Sequence, residues 1–273
     1  MKNKGFVSLV GAGPGDVDLM TVKAVRLLQQ ADVVVFDRLV SADILDLIPS
    51  GISRISVGKE VGKHCVPQQQ INEIIVNLAK SGRKVVRLKG GDPYMFGRGG
   101  EEVLALKKYN IAFEVVPGIT AASGCSSYSG IPLTFRGMSR RVQFITGHFN
   151  DNEPLDLNWQ SIADPESTLV IYMGLSNLPL VVHSLMDAGL SATTPAAAVQ
   201  NGTTQSQQRV ITTLDKLADA IRQKHMQAPV MIIIGEVVSL ADELDWFQQS
   251  IEEKQLAEKP PEEKYHEKNA LHN

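Results

Sequence analysis

"VSLVGAGPGD", residues 7–16, is an apolar run that breaks abruptly into Gly11, Gly13, Pro14 and Gly15. A buried strand running into a glycine turn is how an α/β unit delivers its strand end to a ligand. Working outward, short β-branched runs alternate with helical patterns. "FVSLVGAG" is followed by a helix from Leu19 to Gln30, then "ADVVVFD", "ISVGK", a helix through Gln68 to Ser81, "KVVRLKGG" and a strand from Ala112 to Val116. This alternation predicts an α/β domain with a largely parallel sheet. The small residues of "ITAASGCSSYSGIPL" predict a helix in close contact with a neighbour.

A second series starts near Arg140: "RRVQFITGH", "STLVIYMG", a helix from Asn177 to Gly189, "PAAAVQNGT", "QQRVITTL", a helix from Leu214 to His225 and "PVMIIIGEVV". The expected organisation is an N-terminal α/β domain over 1–137, a C-terminal α/β domain over 138–247 and a charged tail over 248–273 that reads as solvated and disordered. With 27 Lys and Arg against 30 Asp and Glu, the net charge of −3 supplies no general field for nucleic acid. No apolar run approaches the roughly 20 residues of a membrane span. Cys65 and Cys125 have no paired spacing, which argues against a cysteine-built metal site and for a reducing, cytoplasmic setting.

The opening turn fails two nucleotide templates. The phosphate loop needs Lys and Ser/Thr where Asp16 and Val17 stand, and the dinucleotide fingerprint needs glycine at Asp16 and loses an N–H at Pro14. Asp37, at the end of the second strand, keeps an NAD-dependent oxidoreductase in view, because an acidic ribose ligand belongs about there. A tight strand-to-helix turn capped by Asp16 or Asp18 is the plainer alternative. "RLKGGDPYMFGRGGEE", residues 87–102, is the more informative stretch. Six of the twelve residues from Gly90 to Glu101 are Gly or Pro, so it reads as irregular chain. Charged Asp92, Arg98, Glu101 and Glu102 packed beside bare backbone mark a site.

"VGAGPGD", "ADVVVFDRLVS", "VGKEVGKHCVPQQQIN", "VVRLKGGDPYMFGRGGEE" and "VVPGITAASGCSSYSGIPLT" together resemble the tetrapyrrole methylases, most closely the branch acting on uroporphyrinogen III. The resemblance runs from about residue 6 to Phe247. It implies two α/β domains with the active cleft between them, a homodimer, and S-adenosylmethionine as methyl donor without a metal. The reaction it implies is two successive C-methylations of uroporphyrinogen III to precorrin-2, which feeds siroheme, cobalamin or heme d1.

By that resemblance Asp37 is the proton acceptor and Lys59 the proton donor, both at strand carboxyl ends. Read alone, Asp37 could cap a helix or bind a ribose, and Lys59 could be a solvated surface group. Arg98, Glu101 and Arg136 match positions for substrate contact or catalysis; Glu101 could equally fix Arg98 as an i, i+3 pair. Arg140, Arg141, Lys63 and His64 are further cations for the substrate's carboxylates, the first two also readable as strand-edge charges. The resemblance assigns the cofactor to Pro14, Gly90, Gly91, Asp92, Met95, Thr120, Ala121, Met173 and Gly202. Met173 alone would read as core, and Val230 after Pro229 departs from the small residue expected there. His148 reads as a site-wall or structural group. A binding protein that kept the cleft and lost turnover is the non-enzymatic rival, opposed by Asp37, Lys59 and Arg98 at their motif positions.

Overall fold

The computed structural model describes residues 5–58, 66–147, 155–247 and 250. The chain forms two compact units. One runs up to Cys125 and takes in Asn201–Thr204; the other comprises Ser126–Gln200 and the chain from Gln205. The division falls inside the small-residue helix rather than at 137/138, and no shift in composition marks it.

In the first unit β1 (Phe6–Gly11), β2 (Val33–Phe36), β3 (Ser53–Ser56), β4 (Lys84–Lys89) and β5 (Ala112–Val116) form a parallel sheet in the order β3-β2-β4-β1-β5. The crossovers carry α1 (Val22–Gln30), α2 (Ala42–Asp46), α3 (Gln68–Lys80) and α4 (Gly99–Lys108). The first two crossovers step one way across the sheet and the last two step back. Right-handed connections therefore put α1 and α2 on one face and α3 and α4 on the other. The cores follow: Val10, Val34 and Leu88 pack with Leu28 and Ile44, while Leu9, Val35 and Val85 pack with Ile75 and Leu106. The helix expected over Leu19–Gln30 is divided. Asp16 caps a short 3-10 turn at Val17–Leu19, and Thr21 restarts the chain as α1 by accepting the Ala24 N–H at 3.1 Å.

The expectation that Gly90–Glu101 is irregular throughout is corrected at its end, since α4 begins at Gly99. Its inward residues Glu102, Val103 and Leu106 repeat at helical spacing, and the two glycines only disguise the start. The small-residue stretch forms α5 (Ala121–Tyr128).

In the second unit β6 (Arg141–Thr146), β7 (Ser167–Tyr172), β8 (Pro195–Gln200), β9 (Gln208–Thr213) and β10 (Val230–Ile234) lie in the order β6-β7-β10-β8-β9. Only β6 and β7 pair in parallel; the other pairs are antiparallel. With α6 (Trp159–Ile162), α7 (Leu178–Asp187) and α8 (Leu217–Gln223), they enclose a core that includes Ile171, Val181, Leu185, Leu214, Leu217 and Ile232. Among the described residues no helix is long and apolar enough to cross a membrane.

Candidate active site

The parallel sheet sends the ends of β1, β2, β4 and β5 to one edge, where the loops after them meet. Gly13 and Gly91 exchange both backbone hydrogen bonds, at 3.1 and 2.7 Å, and the Ala12 N–H donates to the Lys89 carbonyl at 2.8 Å. Gly118, after β5, lies so close to Gly11 and the Gly91 carbonyl that a Cβ on Gly11 or Gly118 would collide with backbone. Three bare backbones from three strand ends thus converge, an approach that glycine permits. Gly91 itself takes a positive φ of 68, and a Cβ there would meet nothing nearer than the Ala121 nitrogen at 3.7 Å. That distance is ordinary van der Waals contact, so it is the positive φ that calls for glycine at this position.

The opening turn has a second set of partners. The Asp16 N–H donates to Thr203 Oγ1 at 3.0 Å, and Ser41 Oγ donates to the Gly15 carbonyl at 2.8 Å. Pro14 lies against Gly124 of α5, where a Cβ would sit 2.5 Å from the proline ring. This is the close contact that the small residues of that helix predict. Thr203 is buried at φ 71, a strained conformation for a β-branched residue. Its neighbour Gly202 must be bare because Cys125 Sγ fills the space of a Cβ. Burial pushes the Cys125 thiol up to about 12, the condition of a packed residue and not of a nucleophile.

Asp92 is committed to the loop. One carboxylate oxygen accepts the Tyr94 and Met95 N–H groups at 2.8 and 3.2 Å, and the other accepts the Gly118 N–H at 3.1 Å. Asp37 ends β2 as an Asx turn, with Oδ1 accepting the Leu39 N–H at 3.1 Å and the Gly90 N–H at 3.4 Å. Its Oδ2 lies 3.6 Å from Arg87 Nη2.

Behind Asp37 is a buried charge cluster that the sequence reading missed. Arg87 Nε and Lys89 Nζ lie 3.0 and 3.1 Å from the same oxygen of Glu102, which also accepts from Gln68 Nε2 at 3.4 Å. Arg87, Lys89 and Glu102 are 2%, 4% and 0% exposed. Burial, reinforced by the like charge of Arg87, holds the Lys89 ammonium below the usual lysine range despite Glu102 and Asp37. The available signal was two cations at alternate positions of a strand at the centre of an α/β series.

Arg98 and Glu101 face solvent and form a bidentate pair, at 2.7 and 2.8 Å. Their hydrogen bonding raises the Arg98 guanidinium and lowers the Glu101 carboxyl from their ordinary values. Arg98 precedes α4 in the left-handed region at φ 57. The first unit therefore gathers Pro14, Asp37, Gly90, Gly91, Asp92, Met95, Thr120, Ala121 and Gly202, with Arg98 and Glu101 at the start of α4. Arg136 and Met173 belong to the second unit. Arg136 is exposed on the turn that the Phe135–Ser139 bridge closes, and Met173 is half exposed at φ 53 after β7. Arg140 is exposed, and Arg141 pairs with Asp164. Lys59, Lys63, His64, Cys65 and His148 lie outside the described residues, as does the tail over 248–273 apart from Ser250. No cluster of three or more metal-ligating side chains occurs among the described residues.

The siroheme synthase of Stutzerimonas stutzeri (strain A1501) is 54% identical over 247 residues, which are 90% of this chain and 53% of the relative. The chain thus spans about half the length of the curated relatives it matches. The crystal structure of uroporphyrin-III C-methyl transferase from Thermus thermophilus complexed with S-adenyl homocysteine superposes with a TM-score of 0.73 at 37% identity, covering 85% of this chain and 92% of that one. The cobalt precorrin-4 methyltransferase CbiF gives 0.76 at 29% identity, covering 85% and 95%. The family model of Tetrapyrrole (Corrin/Porphyrin) Methylases matches residues 7–218, and the chain belongs to that family.

Proposed function

We propose that this chain is a uroporphyrinogen-III C-methyltransferase, making precorrin-2 by two successive methyl transfers from S-adenosylmethionine. The observation that carries the reading is the three-glycine junction of Gly11, Gly91 and Gly118 with Asp37 tied to its rim through the Gly90 N–H. Bare backbone at Gly11 and Gly118 lets the three loops pack on one another, which fixes Gly90, Gly91 and the Asp37 carboxylate together at the carboxyl end of the sheet, where open α/β sheets place their ligands. The two tetrapyrrole methyltransferase structures have nearly equal TM-scores, so the fold does not choose the substrate. The higher identity to the uroporphyrin enzyme, 37% against 29%, favours uroporphyrinogen III.

S-adenosylmethionine supplies an electrophilic methyl group on a sulfonium. Methyl transfer to a pyrrole carbon is an in-line displacement, so the chain's work is to hold the reactants aligned, exclude water and move a proton. Pro14, Gly90, Gly91, Thr120, Ala121 and Gly202 would hold the donor, chiefly through backbone. Asp92, bound to three N–H groups, keeps the loop in shape for it, and Met95 and Met173 complete the assigned set. Asp37 takes the pyrrole proton and Lys59 returns one. Arg98, steered by Glu101, and Arg136 meet the substrate's carboxylates, a task suited to a planar guanidinium. The enzyme works as a cytoplasmic homodimer.

The test is anaerobic incubation of the protein with uroporphyrinogen III and methyl-labelled S-adenosylmethionine. Two labelled methyl groups per macrocycle are expected; none, with S-adenosylhomocysteine still bound, overturns the reading. Asp37→Ala should abolish turnover and keep S-adenosylhomocysteine affinity. Loss of that affinity would assign the carboxylate to the ribose instead.

A further inference from the structure

The buried cluster contains three charged side chains that the proposed chemistry leaves unused. Alternation along β4 puts Arg87 and Lys89 on the same face as Val85, the face covered by α3 and α4. Arg87 registers opposite Val35 of β2, so it lies beneath the end of the strand that carries Asp37. Its guanidinium is anchored on one side and faces Asp37 on the other: Nε meets Glu102, Nη1 donates to the Leu88 carbonyl at 2.9 Å and reaches the Val35 carbonyl at 3.5 Å, and Nη2 stands 3.6 Å from Asp37 Oδ2 as an ion pair. A planar fork fixed through Nε and Nη1 presents Nη2 to Asp37 in one orientation.

We propose that Arg87 and Glu102 are positioning residues that hold the Asp37 carboxylate in a fixed place relative to the first turn of α4. The inference rests on the reading of Asp37 as proton acceptor. That turn carries Arg98 and Glu101 outward and Glu102 inward. The chain Glu102–Arg87–Asp37 therefore links the group read as proton acceptor to the helix whose N-cap, Arg98, is read as meeting the substrate's carboxylates.

Stability alone is a poor account of the cluster. Well-packed apolar side chains of similar volume usually serve a core as well as a buried ion pair or better. Glu102 concentrates its partners on Oε1, and among the described residues its Oε2, also buried, has no hydrogen-bond partner. Such an arrangement is suited to aiming Arg87 more than to satisfying Glu102. The charged groups facing Arg87 are Glu102 from α4, Lys89 from its own strand and Asp37 from the end of β2.

The experiment compares Arg87→Met, Arg87→Lys, Glu102→Gln and Asp37→Asn with the wild type. It reads single-turnover methyl transfer to uroporphyrinogen III, KM for that substrate, calorimetric affinity for S-adenosylhomocysteine, and Tm. Misplacing a reacting group by about 1 Å can cost on the order of a hundredfold, so Arg87→Met and Glu102→Gln should slow transfer about ten- to a hundredfold. KM and S-adenosylhomocysteine affinity should stay within about threefold, because nothing that binds either ligand is removed. Arg87→Lys, which keeps a cation beside Asp37, should recover part of the lost rate. A folded variant with the wild-type rate overturns the inference, and so does a rate that falls only in step with KM and S-adenosylhomocysteine affinity. If Arg87→Met does not fold, the rates of Arg87→Lys and Glu102→Gln decide between the same two outcomes. Asp37→Asn with normal turnover overturns the reading of Asp37 itself. An inactive Asp37→Asn beside wild-type rates in the Arg87 and Glu102 variants overturns only the positioning.

Discussion

Glu101 and Glu102 are neighbours in the same turn of α4, each paired with an arginine, yet they live in different media. Glu101 meets Arg98 in water, with side chains 50% and 57% exposed, while Glu102 meets Arg87 at 0% and 3%. Gly99 and Gly100 repeat the contrast: Gly99 is pressed against the Pro93 carbonyl, and Gly100 has open space. The difference teaches that one helical turn can carry a solvated, adjustable ion pair outward and a buried, rigid one inward, which under the proposed function would serve substrate docking and the aiming of Asp37.

The largest expected effect tests the inward side. Glu102→Ala leaves Arg87 and Lys89 buried without their shared anion and should destabilise by about 3–5 kcal/mol. Glu101→Ala should change stability by less than about 1 kcal/mol. Equal losses in urea denaturation would erase the distinction. The glycines come next. Gly99→Ala should cost about 1–3 kcal/mol through its clash with Pro93. Gly100→Ala should stabilise by about 0.4–1 kcal/mol by restricting the unfolded chain, and chemical denaturation of both variants measures the difference.

The smallest effect is a slope. Lys89 has a folded-state pKa below its unfolded value of about 10.4. Between those values the unfolded chain binds the extra proton, so this group's contribution makes stability rise with pH and levels off above about 10.4. Wild type should therefore gain in Tm on Lys89→Met as pH increases through that alkaline window. Parallel Tm curves for the two proteins would show that the buried ammonium is not held below its usual range.

Much of this was legible in the residues. The strands of the first unit and the helices α1 and α3 followed from β-branched runs and their spacing, whereas α2 and α4 did not, and the glycine motifs pointed to the loops that meet at the sheet edge. Gly82 ends α3 at φ 89, as its place after a helical pattern suggests. The buried cluster was not legible. In "KVVRLK" the period-2 pattern that puts Arg87 and Lys89 together is the same pattern a half-exposed strand would show, and only the helices laid over that face turn it into a core. The start of α4 was hidden for a related reason, since Gly99 and Gly100 are poor helix formers and Glu102 does not look like a buried residue. The antiparallel pairing of β8, β9 and β10 was equally silent, because a strand's own side chains do not record the direction of its neighbour.

What the sequence determined by itself was where backbone had to be bare. Gly11 and Gly118 stand at strand ends where a Cβ would collide with another chain segment, and Gly91 between them takes a positive φ. Those requirements show in residue identity. What only the tertiary structure decided was which charges face inward and which partners they meet. Burial is a property of the surface laid over a residue, and here that surface comes from α3 and α4, remote along the chain from Asp37.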